Sequence, residues 1–296
     1  MQRLALLAFG LVPAALPAQR AAGAALWRVA GQTLVVPAAL ADDGVAAFWN
    51  PAQTPDAKVS LGLDGVQGAS AVGAAGVLFE TRVRLAPVGH VALVAGRMEL
   101  RDLVSTSSSP APDGTSILYY TQFAGANVAR AIGPATLGLT IARHATKLDL
   151  AESGRWVVDV GVSAPIGGSV RVAAATHMMD HLATDDAAQD LFAGVEGTLW
   201  RGDVAGVPGS AFMLRAGTAF AHGFSADYQL GAGLALGDVV CADVLAALDG
   251  SYAGGDWRPV VGVRLGVGKY RVAIAGDAGA GGRGAAFRVA LEARFQ

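Results

Sequence analysis

The feature that most constrains this chain is an alternation of apolar and polar residues that repeats from about Leu61 to the end of the sequence. From Phe287 to Phe295, one face carries Phe, Val, Leu, Ala and Phe, and the other carries Arg, Ala, Glu and Arg. Successive side chains of a β-strand point to opposite faces, whereas a helical face repeats about every 3.6 residues. The segments 77–85 and 257–267 follow the same period of two. The sequence therefore predicts a protein built mainly from β-strands.

The composition restricts how such strands can be arranged. Hydrophobic residues make up 53% of the chain and charged residues only 16%, whereas soluble domains carry about 25% charged residues. After the N-terminus, no stretch approaches the roughly 20 apolar residues that a membrane-spanning helix needs. A soluble β-sandwich is the alternative, but its outer faces would carry charge, and here one face of nearly every strand is apolar or small. We therefore predict a closed transmembrane antiparallel β-barrel, because lipid cannot bond free backbone groups.

Turn signals divide the alternating region into about fourteen strands. Short turns such as Gly133-Pro134 and Gly237-Asp238 alternate with longer polar segments such as Ser105 to Thr115. Short turns at one end and longer loops at the other are typical of outer-membrane barrels, and bacterial single-chain barrels have even numbers of strands. The strands are predicted to begin near residues 57, 75, 90, 116, 135, 154, 168, 190, 209, 226, 239, 256, 269 and 284.

The N-terminal region does not follow the alternation. Arg3 and the apolar run from Leu4 to Leu16 are typical of a secretory signal, so residues 1–18 are predicted to be a cleaved signal peptide, with a short membrane anchor as the alternative. Residues 19–56 are rich in alanine and mix helical and extended patterns, which predicts a plug inside the lumen. Residues 57–296 would form the barrel. The protein is expected in the cell outer membrane, in contact with its lipid.

A short motif lies between the predicted plug and the predicted barrel. It joins an acidic pair, an aromatic pair and an Asn-Pro-Ala tripeptide, which are Asp42, Asp43, Phe48, Trp49, Asn50, Pro51 and Ala52. Pro51 prevents a helix from continuing and holds Asn50 extended, so that the Asn50 side chain can bond nearby backbone groups. An ordinary Asx-Pro turn before a strand is the alternative interpretation. Together with the signal and the strand number, the motif resembles the N-terminal signature of the FadL-like outer-membrane superfamily.

This resemblance implies two functions. FadL-type proteins transport long-chain fatty acids, which implies a barrel that passes or binds a hydrophobic or amphipathic small molecule through a plugged lumen. The PorV and PorQ proteins of the same superfamily are associated with type IX secretion, which implies an adaptor for secreted proteins or a secretion channel. The loops here are about ten residues at most, shorter than those of FadL-type transporters. No cofactor is implied, and the net charge of −2 does not indicate nucleic acid binding.

The polar faces of the strands are predicted to line the lumen. Both signs of charge occur on these faces with arginine in excess, so cross-strand ion pairs that fill the interior are favoured over an anion-favouring lining. The predicted lumen-lining residues include Glu80, Arg82, Arg84, Arg97, Glu99, Arg258, Arg264, Arg288, Glu292 and Arg294.

The sequence offers few candidate catalytic or metal-binding residues. His177 and His181 lie four residues apart near Asp185 and Asp186, but at a strand end and in a polar loop, so a solvated loop is favoured over a metal or catalytic site. The single cysteine, Cys241, lies in an apolar strand, where cysteine usually acts as a small hydrophobic residue. We therefore predict a protein that is not an enzyme, with no catalytic residue and no metal, and an outer-membrane enzyme is the less favoured alternative.

Overall fold

The structure, a computed structural model, describes residues 26–69, 73–101, 103–106, 112–179, 190–221, 225–248, 257–279 and 284–296. The predicted signal peptide, residues 1–18, lies outside these ranges. Within them the chain forms sixteen β-strands, and helix is confined to the region before the first strand. None of the helices in the described ranges has the length and apolar character needed to cross a membrane.

Fourteen of the described strands pair edge to edge into one closed antiparallel barrel, which confirms the predicted fold. Consecutive barrel strands are neighbours, and the first strand closes the sheet by pairing with the last. Closure leaves no strand edge, so the backbone groups of the wall bond within the sheet. The barrel strands are β1 (Val59–Gln67), β2 (Ala74–Leu85), β3 (Gly89–Leu100), β6 (Tyr119–Ile132), β7 (Ala135–Leu148), β8 (Ala151–Ile166), β9 (Val170–His177), β10 (Asp190–Val204), β11 (Val207–Ala221), β12 (Asp227–Leu236), β13 (Val240–Leu248), β14 (Trp257–Val267), β15 (Tyr270–Asp277) and β16 (Ala286–Phe295).

The two remaining strands form a small hairpin between β3 and β6. They are β4 (Val104–Thr106) and β5 (Pro112–Ser116), which pair only with each other. The predicted polar segment from Ser105 to Thr115 therefore contains a short hairpin, and it belongs to a connection, residues 101–118, that is longer than the predicted loops of about ten residues. The connection is much longer than a tight turn, so it has enough residues to pair with itself.

The two faces of the wall differ in exposure as the alternation predicts. Along β1, Leu61 and Leu63 point outward and are 41% and 43% exposed, whereas Ser60 and Asp64 point inward and are buried. Outward positions of the other strands also carry large exposed apolar side chains. An apolar band of this extent around a closed sheet is typical of a surface that faces lipid.

The two ends of the barrel differ in the length of their connections. At one end, turns of two or three residues join the strands, such as Gly133-Pro134 between β6 and β7, and the wall itself begins and ends there at Val59 and Phe295. At the other end most connections are longer, including residues 101–118 and 178–189. Outer-membrane barrels place short turns in the periplasm and longer loops outside the cell. We therefore name these the periplasmic end and the extracellular end.

Residues 26–58, here named the N-terminal segment, pack against the inner face of the wall. Residues 26–31 are helical (α1), Ala38–Leu40 form a 3-10 turn, and Ala46–Trp49 form a second short helix (α2). Most side chains of the segment are buried although it has little regular structure. Its free backbone groups find partners in the wall, as where the N–H of Ala47 donates to Glu80 at 2.9 Å. The segment and the wall thus share one core.

An arginine at the middle of the outer face should destabilise the barrel. Val160 lies near the middle of β8 and is 52% exposed, so Val160→Arg should lower the free energy of unfolding by about 2–4 kcal/mol, the cost of a charge near the bilayer midplane. Urea unfolding in lipid vesicles measures this quantity. The matched control, Ile166→Arg at the periplasmic end of the same strand, should cost about 0–1 kcal/mol. Equal losses at the two positions would contradict a lipid-facing wall.

Candidate functional site

The Asn-Pro-Ala tripeptide forms a buried turn inside the lumen. The Asn50 side chain donates from Nδ2 to the carbonyl oxygen of Ala39 (2.7 Å) and accepts at Oδ1 from the backbone N–H of Ala52 (2.9 Å). Asn127 of β6 donates to the carbonyl oxygen of Pro51 at 3.1 Å. Asn50 and Asn127 are fully buried, so these bonds replace the bonds to water that burial removes. The turn therefore ties the N-terminal segment both to itself and to the wall.

Two glycines of the wall make room for this turn. Gly138 of β7 and Gly161 of β8 lie directly opposite each other in register and form a notch, here named the glycine notch. A Cβ atom at Gly138 would lie 2.1 Å from the backbone of Pro51, and one at Gly161 would lie 2.1 Å from Oδ1 of Asn50. Both distances are far below van der Waals contact, so a larger residue at either position would displace the turn. The inner wall is thus shaped to the motif.

The acidic pair of the motif binds arginines of the wall. Asp42 forms an ion pair with Arg264 of β14 at 3.0 Å, and Asp43 forms one with Arg288 of β16 at 2.5 Å. Arg288 also pairs with Asp64 of β1. Since β1 and β16 are the strands that close the barrel, this arginine joins the N-terminal segment to the closing pair.

The charges around Asp42 keep it ionised. Burial by itself would raise the pKa of its carboxyl, but the attraction of Arg264 and Arg171 outweighs burial and holds the pKa well below its usual range. The side chain is 46% exposed within the lumen, so solvent screens part of this attraction. Asp42 therefore remains an anion at physiological pH, and its contact with Arg264 is insensitive to pH there.

Several of the other predicted lumen-lining residues bond to the N-terminal segment. Arg82 of β2 pairs with Glu80 at 2.7 Å and donates to the carbonyl oxygen of Gln53. Arg258 of β14 donates to the carbonyl oxygen of Gln32 at 2.9 Å. These side chains are buried, so the charged residues at these positions act as partners of the segment and do not line an open channel.

Three predicted lumen-lining residues lie near the periplasmic end. Glu292 and Arg294 of β16 form an ion pair at 2.6 Å, and Arg294 also donates to the backbone carbonyl of Asp42 at 3.2 Å. Arg84 of β2 is exposed. These three charged residues therefore lie at the periplasmic mouth of the barrel, beside the part of the N-terminal segment that contains Asp42.

The prediction that Arg97 and Glu99 line the lumen is wrong. Arg97 is in register with Val77, which points outward and is 43% exposed, and directly paired residues share a face of the sheet. Val94 and Met98, on the opposite face of the same strand, are buried in the interior. Near the extracellular end the outer face of β3 carries charge as well, so polarity no longer identifies the inner face.

An aromatic cluster that includes the aromatic pair of the motif lies on the extracellular side of the Asn-Pro-Ala turn. Phe48 and Trp49 of α2 contact each other, with ring centroids 4.7 Å apart, and Trp27 of α1 lies 5.1 Å from Phe48. His177 of β9 packs edge-on against Phe48 at 4.7 Å and stacks on Trp49 at 5.6 Å. Phe192 of β10 lies 5.3 Å from His177. These side chains are all buried. They give the extracellular half of the lumen an aromatic lining.

A cavity of about 70 Å³ opens between this cluster and the extracellular ends of the strands. Trp27, Trp49, His177 and Phe192 contribute aromatic surface to its wall, and Arg28, Asp190, Asp227 and Arg258 contribute charged groups. The Nδ1 atom of His177 lies 3.8 Å from the carboxylate of Asp190, which is beyond hydrogen-bond distance. The Nε1 atom of Trp49 and both ring nitrogens of His177 are buried without a hydrogen-bond partner among the described residues. Buried polar atoms are nearly always bonded. A cavity with this lining is therefore suited to a ligand that carries a polar group on an apolar body.

His177 is a candidate residue that the sequence reasoning placed wrongly. A solvated loop is predicted there, but His177 is 3% exposed and ends β9 inside the lumen. Its aromatic neighbours are distant in the sequence, so no local pattern marks it. His181, Asp185 and Asp186 lie outside the described residues. Within the described ranges, no three His, Cys, Asp or Glu side chains are close enough together to hold a metal ion.

No protein-family model matches this chain, and no curated protein sequence matches it. Similar solved structures include the Ralstonia pickettii toluene transporter TbuX, with 12% identity, a TM-score of 0.59 and coverage of 88% of this chain and 97% of that chain. The P. putida toluene transporter TodX has 10% identity, a TM-score of 0.54 and coverage of 86% and 94%. The Acinetobacter baumannii outer membrane protein Omp33 has 8% identity, a TM-score of 0.49 and coverage of 81% and 98%.

At these identities the likeness to TbuX and TodX shows a shared fold. The chain has an outer-membrane barrel fold similar to that of two transporters. The FadL-like resemblance inferred from the motif stays a prediction. The PorV/PorQ-like assignment stays a prediction.

Filling the glycine notch should displace the N-terminal segment. Gly161→Val places a side chain where Oδ1 of Asn50 lies, so we expect the ion conductance of the barrel in planar bilayers to rise severalfold. Gly197→Val in β10 is the matched control, because a Cβ atom there meets no atom within 4 Å. Unchanged conductance in folded Gly161→Val protein would contradict the proposed fit between the turn and the wall.

Proposed function

We propose that this protein passes a small hydrophobic or amphipathic molecule across the outer membrane, through a lumen that the N-terminal segment closes as a plug. The observation that carries the proposal is the cavity on the extracellular side of the Asn-Pro-Ala turn, where aromatic rings lie beside buried ring nitrogens that have no hydrogen-bond partner among the described residues. No covalent chemistry and no cofactor are needed. The barrel supplies a route through the membrane, and the cavity supplies a binding site of mixed aromatic and polar character on that route.

The lining of the cavity favours a molecule with an apolar body and one polar group. Trp27, Trp49 and Phe192 offer aromatic surface that binds apolar atoms better than water does. Nε1 of Trp49 can only donate a hydrogen bond, whereas a histidine ring can donate or accept one. An oxygen atom on the ligand would satisfy these nitrogens. A phenol or an alcohol therefore fits the cavity better than a plain hydrocarbon.

Passage of a ligand requires the plug to move. The cavity of about 70 Å³ is smaller than the roughly 300–1,000 Å³ of typical ligand sites. A second cavity, of about 680 Å³, lies at the periplasmic mouth beside Arg271 and Arg294. We propose that a ligand in the upper cavity displaces α2 toward this mouth. The ion pairs of Asp42 and Asp43 with the wall would open in that step. Water can replace the partly exposed Asp42–Arg264 contact at small cost, whereas Arg288 is buried, so opening its contact with Asp43 accounts for most of the cost of moving the plug.

The fold shared with TbuX and TodX, which are toluene transporters, supports transport as the task of this barrel. The exposed apolar band supports outer-membrane lipid as its surroundings. A PorV/PorQ-like adaptor for protein secretion is the alternative prediction. Co-purification with a secreted protein or a secretion channel, together with no uptake of small molecules, would favour that alternative.

Filling the cavity should abolish uptake. In bacterial cells whose outer membrane carries the protein, Phe192→Trp should lower the uptake of radiolabelled toluene and p-cresol to the rate of cells that lack it, because the larger ring occupies the cavity. Phe220→Trp is the matched control, since Phe220 lies on neighbouring β11, points outward and is 47% exposed. Ala247→Leu narrows the same cavity from β13 and serves as a second variant. Undiminished uptake by both cavity variants would contradict the proposal.

Removing the Trp49 donor should change the preference among ligands. Trp49→Phe keeps an aromatic ring but removes Nε1–H, so p-cresol uptake should fall about fivefold, which corresponds to one hydrogen bond of about 1 kcal/mol. Toluene uptake should remain unchanged. Competition between unlabelled p-cresol and labelled toluene in the same cells measures this preference. Equal effects on the two molecules would show that the nitrogen does not select the ligand, while leaving transport itself intact.

A further inference from the structure

We propose that the outer wall of the barrel carries a binding site for the phosphate group of a saccharolipid in the outer leaflet. The site is a groove across β3, β6 and β7 toward the extracellular end, here named the outer groove. Its charged residues point away from the lumen. The proposal therefore does not depend on what passes through the barrel.

The charged residues of the outer groove face the lipid. Arg97 of β3 is in register with outward-pointing Val77 and with Gln122 of β6. Arg143 of β7 is in register with Trp156 of β8, which is 61% exposed. An arginine on the lipid face is costly at the bilayer midplane and costs little near the interface. Exposed tryptophan is enriched at the interface, so Trp156 indicates that the arginines lie at the level of the lipid headgroups.

The outer groove carries more positive charge than its own carboxylates neutralise. Glu99 lies 2.9 Å from Arg101 and 3.9 Å from Arg97, so one carboxylate serves two guanidinium groups. Arg143 has no carboxylate within ion-pair distance among the described residues, and its guanidinium lies 5.9 Å from the Trp156 ring. Among the described residues of this region, three arginines thus share one glutamate. An anion bound in the groove would neutralise the remaining positive charge.

The next pair of charged residues toward the extracellular end does not change the excess of positive charge. Lys147 of β7 and Glu152 of β8 lie opposite each other in register, one step closer to the extracellular loops. Their charges cancel. The excess of positive charge therefore remains at Arg97 and Arg143, which lie on either side of β6.

The shape of the outer groove suits a bulky head with acyl chains. It has a volume of about 490 Å³, and small residues form its floor while apolar side chains of β2 form one side, here called its rim. The small residues allow a large group to lie against the wall between the two arginines, and the apolar rim offers a surface for hydrocarbon. The floor consists of Ala95, Gly96, Ala124 and Ala145, and the rim includes Val77 and Phe79.

A phosphorylated saccharolipid combines these properties. Arginine binds phosphate through paired N–H groups with a fixed geometry, and basic pockets at the membrane surface of proteins bind lipid phosphates. The outer groove opens to lipid near the extracellular end. The leaflet at that end of an outer membrane consists mainly of saccharolipids whose sugars carry phosphate, whereas phospholipids form the periplasmic leaflet. The position of the groove therefore favours the saccharolipid.

Thermal unfolding of the purified protein in detergent tests this proposal. Diphosphorylated lipid A should raise the unfolding temperature with increasing concentration, because a ligand that binds the folded state stabilises it. Lipid A without its phosphates should have no such effect. The double variant Arg97→Gln/Arg143→Gln should bind diphosphorylated lipid A about tenfold more weakly or worse, as expected for lost charge-assisted hydrogen bonds.

Arg130→Gln is the matched control for the arginine substitutions. Arg130 lies on β6, the strand between those of Arg97 and Arg143, in register with outward-pointing Leu137, but at the periplasmic end. Its replacement should leave lipid A binding unchanged. If the double variant does not fold, as judged by heat-dependent electrophoretic mobility, Arg143→Gln and Arg143→Lys give the same comparison, with lysine retaining more of the affinity.

Three outcomes would overturn the proposal. The first is equal binding of diphosphorylated lipid A by the wild-type and arginine variants. The second is equal binding of lipid A with and without its phosphates. The third is binding of dioleoylphosphatidylglycerol with the same affinity and the same dependence on Arg97 and Arg143, which would assign the outer groove to a phospholipid instead.

Discussion

Lipid offers no hydrogen-bond partners to backbone N–H and C=O groups, and the rest of this structure depends on that constraint. The fourteen barrel strands among the described residues meet it by pairing edge to edge and by joining β1 to β16. Once the sheet is closed, irregular backbone can exist at membrane depth only inside it. The N-terminal segment is stable there because wall side chains such as Glu80 and Asn127 bond to its backbone.

The fold could be predicted because a wall with lipid on one side imposes a period of two on each strand separately. β7 and β10 begin at the predicted residues 135 and 190, although no contact between strands enters the prediction. The motif was recognisable for a similar reason, since Pro51 and Asn50 restrict their own backbone locally. The glycine notch was not predicted, because Gly138 and Gly161 are two of 40 glycines and only the contact with the distant Asn50-Pro51 turn distinguishes them.

The errors concern residues whose environment is set by distant parts of the chain. His177 is buried by Phe48 and Trp49, which lie far earlier in the sequence, so its own neighbours gave no sign of burial. For Arg97 the rule itself failed, because polarity separates the inner from the outer face only where hydrocarbon surrounds the wall. At headgroup level both faces carry charge. Only the register with Val77 decides which way Arg97 points.

Arg288 binds residues from the beginning of the described chain although it lies close to the end of the sequence. It lies on β16 and binds both Asp64 of β1 and Asp43 of the N-terminal segment. During synthesis Asp43 is made before any strand of the wall, and Arg288 is made after nearly all of them. If β1 and β16 paired without the N-terminal segment inside the barrel, this guanidinium would have only one of its two counter-ions. The strength of the contact that closes the sheet therefore depends on a residue that lies outside the sheet.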